Sequence, residues 1–417
     1  MTINKNRVMQ LFVCISILSI SCKVEEFTSP PKQVAKIGLD TIWTNIINGY
    51  SNNPILNSNS DILMSRVVFG SQNEVFKLFD GKTGQLKWEW QDYFTIEEDF
   101  SYNKHLVFND IVVLCGRSNT YAFDMVSGKT VWKNSFTDMF GEPQIYAGKN
   151  EYAYQGYRNK IPDYKGHIYR TKYDKGNWEK VCTFEDSTKQ FDVIYSSPIA
   201  FSTNSAGDEL MIFTLFLYSS NNSDLHASKV CCFNLSTNKY DWIKDYSNKY
   251  YEFMVCKMQS NKGKVFTFAT TGSNRFLVAI NCIDGSITWE KSIPDIGVGL
   301  HLYKDNIIPI CNGKSPLTAY NQNTGAIVWS QNFENQDLPD LNFAIGDAIV
   351  YKNYLISTQG DNLLVVNLDG GGVLYKEKIA LPQGYLQFGV AINEKERLLY
   401  VQDRLRVVCY KLPDEIK

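Results

Sequence analysis

The stretch Val75-Phe76-Lys77-Leu78-Phe79-Asp80, Gly81-Lys82-Thr83-Gly84, Gln85-Leu86-Lys87-Trp88 decides the fold. Apolar residues alternate, a Gly-bearing turn follows, and a second alternating run ends on Trp, so the segment reads as strand, turn, strand. The phrase returns. It recurs as Thr120-Tyr121-Ala122-Phe123-Asp124, Ser127-Gly128, Val131-Trp132, and as Leu277-Val278-Ala279-Ile280-Asn281, Asp284-Gly285, Thr288-Trp289. A fourth copy is Leu317-Thr318-Ala319-Tyr320-Asn321, Thr324-Gly325, Val328-Trp329. In all of them Gly precedes Trp by four residues.

Weaker copies fill the gaps. Val230 to Asn234 leads to Asn238 and Trp242, with Asn, the next-best residue for a left-handed turn, in the place of Gly. Leu364 to Asn367 leads to Gly371 and Tyr375, and Ile168 to Asp174 leads to Gly176 and Trp178. The aromatic markers at 88, 132, 178, 242, 289, 329 and 375 are spaced by 44, 46, 64, 47, 40 and 46 residues. A unit of about 45 residues with four strands is a propeller blade. The long step predicts an insertion in the fourth blade, within Ser202 to Ser228. Trp43 lies 45 residues before Trp88 and is in phase, but little chain precedes it. Leu398 to Val401 and Leu405 to Tyr410 supply two strands near the other end. The expectation is therefore an all-β, eight-bladed propeller of four-stranded blades over residues 36–417. Its ring is closed by pairing the N-terminal Trp43 strand with C-terminal strands, which removes a sheet edge. On this reading seven of the eight Trp wedge between blades, all but Trp90.

Ahead of the repeats, Lys5 and Arg7 precede an apolar run from Val8 to Ile20, too short to span a bilayer comfortably. Residues 1–21 thus read as a signal peptide. Ser21-Cys22 resembles the lipobox of bacterial lipoproteins, with Leu18 one place further back than that family's Leu. The resemblance implies a lipid anchor on Cys22; an ordinary cleaved signal is the alternative. Residues 22–35, with Pro30-Pro31, read as a tether. Lys23-Val24-Glu25-Glu26 resembles the surface-export signal of some Gram-negative lipoproteins, so an outer-membrane location is expected and the side, periplasmic or cell surface, stays open.

Composition narrows the function. Lys plus Arg total 42 against 44 Asp plus Glu, a formal charge of −2. Without Lys5 and Arg7 the balance falls to −4. That near-balance argues against a nucleic-acid partner, which would need a basic surface to displace counterions.

The Ala-x-Asp/Asn, Thr-Gly, Trp phrase resembles the quinoprotein-type propeller repeat. That family includes quinone-dependent alcohol dehydrogenases and the propeller lipoprotein of the outer-membrane barrel-assembly machinery, and the resemblance covers residues 36–412. For the dehydrogenases it implies pyrroloquinoline quinone and calcium in the central channel and, in some, a vicinal disulfide. Cys231-Cys232 is the feature that invites that reading. In the strand Val230 to Asn234, however, successive side chains point to opposite faces, which parts the two sulfurs. No cofactor is expected.

No catalytic site is read. His105, His167, His226 and His301 have no metal-ligand spacing, and neither a Gly-x-Ser-x-Gly elbow nor a phosphate-binding loop appears. Asp80 to Gly84 reads as a hairpin turn rather than a calcium loop. The eight Cys outside residues 1–22 are read as buried small hydrophobes.

What remains is surface. Tyr154, Tyr157, Tyr164, Tyr169 and Tyr173 crowd the third blade, and Tyr246, Tyr250, Tyr251 and Phe253 follow Trp242. Tyr154, Tyr157, Tyr164, Tyr246, Tyr250 and Tyr251 are the candidate contacts for a partner protein or glycan; packing between blades is the competing role. The leading expectation, by resemblance, is a non-enzymatic envelope scaffold that binds proteins through its loops, with a part in outer-membrane protein assembly. A surface carbohydrate- or ligand-binding lipoprotein and a quinone-dependent dehydrogenase are the alternatives.

Overall fold

The computed structural model describes residues 39–47, 54–67, 74–94, 105–116, 119–135, 140–158, 165–191, 193–219, 226–253, 258–295, 297–311, 315–332, 348–359, 362–378, 389–402 and 406–416. The signal peptide, Cys22 and the tether read from the sequence lie outside them. Among the described residues all regular structure is β, arranged in eight antiparallel sheets. They follow one another along the chain as blades 1 to 8: residues 55–90, 106–135, 140–185, 193–245, 252–293, 297–331, 349–378, and 390–411 completed by Thr41–Ile46. In blade 5 two short strands, Glu252–Phe253 and Gln259–Asn261, share the place of the first.

Closure is as expected. Thr41–Ile46 is the outer strand of blade 8 and pairs antiparallel with Arg406–Lys411, Trp43 opposite Cys409 and Thr44 opposite Val408.

The recurring phrase has a physical explanation at each end. Its Asp or Asn folds the turn: Asp80 Oδ1 accepts the Lys82 and Thr83 amides at 3.0 and 2.9 Å, and Asn321 Oδ1 accepts those of Asn323 and Thr324 at 2.9 and 3.1 Å. The turn Gly then receives the Trp of the preceding blade. A β-carbon on Gly325, whose φ is +68°, would sit 2.8 Å from the Trp289 ring. The same contact joins Trp43 to Gly84, Trp88 to Gly128, Trp132 to Gly176, Trp242 to Gly285 and Trp329 to Gly371. Five of these six indoles also donate Nε1 to a carbonyl of the next blade, at 2.7–3.0 Å. Trp88 is the exception, its Nε1 buried with no acceptor.

Two junctions depart from this rule. Trp178 does not occupy the marker position: the residue there is Cys182, opposite Ile168 at the bulge where the other blades carry their aromatic marker. Trp178 turns back instead and donates to Thr120 Oγ1 of blade 2 at 3.0 Å. At the blade 3–blade 4 junction Tyr240 reaches back, donating to Thr183 O at 3.1 Å. The spacing of two residues from Gly176, rather than four, is what misplaced Trp178. The second departure is at blade 8, whose outer strand comes from the other end of the sequence and so has no hairpin turn. Residues 412–416 fill the gap: Leu412 and Ile416 are fully buried, and the Tyr354 and Tyr375 hydroxyls donate to Glu415 O and Oε2 at 3.0 and 2.8 Å.

The core is a ring. Each of eight buried apolar clusters draws on two consecutive blades, with blade 8 on blade 1 closing the circle. The predicted insertion in blade 4 is corrected. Most of the described part of Ser202 to Ser228 is strand, Glu209–Tyr218 and the start of His226–Asn234, so part of the extra length lies in strands; residues 220–225 lie outside the described residues.

Candidate partner-binding face

The strand order gives the ring two unlike faces. One carries the turns between first and second strands and between third and fourth. They are tight and tied to each other, as where the Met125 amide donates to Asp110 O at 2.7 Å. Polar contacts also link neighbouring blades here: Ser58 N to Asp110 Oδ1 (2.7 Å), Asn109 Nδ2 to Tyr173 Oη (3.2 Å), Lys304 to Asp369 (2.6 Å) and Lys82 to Glu396 (2.9 Å). These contacts tie neighbouring turns to one another, while Val126 and Ile283 stay 45% and 65% exposed at turns of the same face.

The opposite, loop face carries the connections between blades and those between second and third strands. It is stepped. The third strands of blades 3, 4 and 5, Lys165–Lys172, His226–Asn234 and Asn274–Asn281, have 8, 9 and 8 residues. Those of blades 1, 2 and 7, Glu74–Phe79, Asn119–Asp124 and Asn362–Asn367, have 6. The turns hold all blades level at the hairpin face, so the added length rises at the loop face. At about 3.3 Å per residue, blades 3 to 5 form a crescent whose third strands are roughly 7 to 10 Å longer than those of blades 1, 2 and 7.

All six candidate tyrosines belong to this crescent or its connections, but they do not share one role. Tyr154 is only 3% exposed, packed in the core between blades 3 and 4, and Tyr250 is 1% exposed, its hydroxyl on Glu290. Tyr246 is half-buried and donates to Gly285 O of blade 5. These three bind blade to blade and are corrected as surface anchors: strand alternation turns Tyr154 inward, and Tyr246 and Tyr250 fold onto blade 5 from the connection after Lys239–Asp245. Tyr157 lies in the strand Tyr152–Arg158, its side chain outside the described part, and Tyr164 lies outside the described residues. Tyr173 stacks on Phe108 at 5.5 Å.

Tyr251 is different. It is 45% exposed at the loop face, its ring 4.2 Å from His226 and 5.8 Å from Phe216 between centroids. Phe94, 48% exposed in the connection after blade 1, is the other aromatic among the described residues to be so open. Both lie on the loop face. Sequence reasoning missed Phe94, His226 and Phe216. The usable signal was position: Phe94 follows an outer strand, and outer strands run toward that face.

The vicinal disulfide that invited the cofactor reading does not fit the structure. Cys231 packs with Ile168 and Phe213 between blades 3 and 4, while Cys232 packs with Val278 and Cys282 between blades 4 and 5. Their sulfurs lie on opposite sides of one sheet and cannot form a bridge over a quinone ring. Among the described residues no group of three His, Cys, Asp or Glu could hold a metal ion. Cys115, Cys182, Cys231, Cys232, Cys282, Cys311 and Cys409 are buried; Cys256 is outside the described residues. Burial pushes the Cys182, Cys232 and Cys409 thiols up to about 12, which leaves them poor nucleophiles.

A family model described as outer membrane protein assembly factor BamB matches residues 258–411. BamB of Shewanella oneidensis is 23% identical over 189 residues, 43% of this chain and 46% of that protein.

The chain resembles BamB.

The match spans about half the length of that relative. This chain is an eight-bladed propeller, and solved structures agree on the architecture. Quinohemoprotein alcohol dehydrogenase from Comamonas testosteroni superposes with a TM-score of 0.57 at 12% identity, covering 90% of this chain and 76% of the enzyme. Sqt1 from Saccharomyces cerevisiae gives 0.56 at 11% identity over 92% and 100%, and the Dos1 propeller 0.56 at 10% over 90% and 96%. At such identities these likenesses speak for the fold alone.

Proposed function

We propose that the protein is a non-enzymatic envelope lipoprotein, anchored through Cys22 after loss of residues 1–21. It holds a protein partner on its loop face in the course of outer-membrane protein assembly. The observation that carries this is the BamB match over 258–411, which covers most of blade 5, blades 6 and 7, and the strands of blade 8 up to Lys411. Two features support the choice of face. Turns of the hairpin face are tied to one another by contacts such as Ser58 N to Asp110 Oδ1, whereas the loop face leaves the aromatic rings of Tyr251 and Phe94 about half exposed. Aromatic side chains open to water are the usual anchors of protein interfaces.

The test is affinity purification of the full lipoprotein from crosslinked cells. Envelope assembly proteins are expected with the wild type, and their recovery is expected to fall with Tyr251→Ala and Phe94→Ala although both variants melt like the parent. Recovery of no envelope protein, or equal recovery with both variants, contradicts the reading.

A further inference from the structure

Eight outer strands form the rim of the ring, and each presents an unpaired edge. Such edges are commonly protected by charge. Six carry Lys or Glu: Leu86–Trp90, Thr130–Ser135, Glu179–Glu185, Lys239–Asp245, Ile287–Ile293 and Val373–Lys378. Two carry no charge, Thr41–Ile46 of blade 8 and Ile327–Gln331 of blade 6. In Thr41–Ile46, Ile42 is 47% and Ile46 71% exposed, and Leu86, on the next outer strand, is 49% exposed. Trp43 and Asn45 are turned toward blade 1, on Gly81 and Gly84, so Thr44 and Ile46 point away from the ring contact. This is also the strand nearest in sequence to Cys22. Sixteen residues lie between Cys22 and Leu39, a reach of at most about 60 Å.

We propose that the rim at blade 8, through Ile42 and Ile46 with Leu86 of blade 1, rests on the bilayer in the headgroup region. The propeller then stands on edge and its loop face looks along the membrane. The inference rests on the lipid anchor of the proposed function. The anchor selects blade 8 over the other uncharged rim strand, because only blade 8 receives the chain from Cys22. An uncharged aliphatic strip can enter the interface without stripping water from a charge, and a covalent anchor holds it there at high local concentration. The opposite rim, Lys239–Asp245 of blade 4, carries two Lys and two Asp and faces water. A loop face held sideways suits a partner whose soluble domain stands beside it on the same leaflet.

The test uses the full lipidated protein on vesicles containing lipids with nitroxide-labelled headgroups. Fluorophores are placed on Thr44→Cys, Val328→Cys and Ile243→Cys in a Cys256→Ser background, since the described native thiols are buried. Flotation with the vesicles scores the anchor separately. Quenching is expected to be several-fold stronger at position 44 than at 243, with 328 closer to 243. Adding Ile42→Asp and Ile46→Asp, both at exposed positions, is expected to erase that contrast while flotation persists. Protein that fails to float overturns the anchor and the proposal with it. Protein that floats but quenches equally at all three positions, or most at 243 or 328, overturns the orientation alone.

Discussion

Trp289 of blade 5 closes on Gly325 of blade 6: its Cδ2 lies 2.8 Å from where a β-carbon on that Gly would be, and its Nε1 donates to Gln322 O at 2.9 Å. One blade's Trp and the next blade's Gly are therefore a single device, repeated at six junctions. A side chain at Gly325 must both adopt a positive φ and displace an indole. Gly325→Ala is expected to cost about 2 to 4 kcal/mol, read by urea denaturation. Gly207→Ala provides the control. Its φ is +88°, but nothing lies within 4 Å of the added carbon, so only the backbone cost of about 1 to 2 kcal/mol is expected. Equal losses would show that the indole contact is idle.

The strap formed by residues 412–416 substitutes for the turn missing from blade 8. Ile416 is fully buried there, against the apolar seam of blades 7 and 8. Ile416→Ala is expected to destabilise by about 2 to 4 kcal/mol and to lower the melting temperature. A change within about 0.5 kcal/mol would mean that the ring closes without the strap.

The seven described cysteines are buried, and burial raises the thiols of Cys182, Cys231, Cys232, Cys282 and Cys409. Folded protein at pH 8 is expected to leave them unlabelled by iodoacetamide over a time in which denatured protein labels fully. Reductant is expected to leave the melting temperature unchanged. Rapid native labelling of Cys231 or Cys232, or a vicinal disulfide in the intact mass, would contradict the packing.

Burial holds His105 near 3, far below its ordinary 6.5, beside the Phe76 ring at 5.1 Å. The unfolded chain binds this proton near pH 6.5 and the folded chain only near pH 3. Stability is thus fully present above pH 6.5 and drains as pH falls toward 3, by at most about 1.4 kcal/mol per pH unit from this group. His105→Leu is expected to flatten the dependence of melting temperature on pH across that window. An unchanged slope would place the proton elsewhere.

The ring was legible because its construction is local. The Asx turn, the left-handed Gly and the Trp four residues later lie within a dozen residues of one another, so each blade announces itself. What the sequence concealed is relational. Gly176 and Trp178 look like a degraded marker, yet the bulge puts Cys182 in register and leaves Trp178 facing blade 2. The extra length of blade 4 reads equally well as a loop or as longer strands, and packing against blades 3 and 5 put part of it in strands. Tyr154, Tyr250 and Tyr251 are alike in composition. Only the three-dimensional packing buries the first two and opens the third. The strap at 412–416 carries no motif, because its role exists only once the first strand has arrived from the far end of the chain.

Photo-crosslinking in living cells tests the central claim, that a protein partner sits on the loop face, most directly. A photoreactive amino acid would replace Tyr251 and Phe94 on the loop face, and Lys82 and Ser236 at hairpin turns. The account predicts adducts with an outer-membrane assembly protein from positions 251 and 94 and none from 82 and 236. Adducts from the hairpin face alone, or from no position, would contradict it.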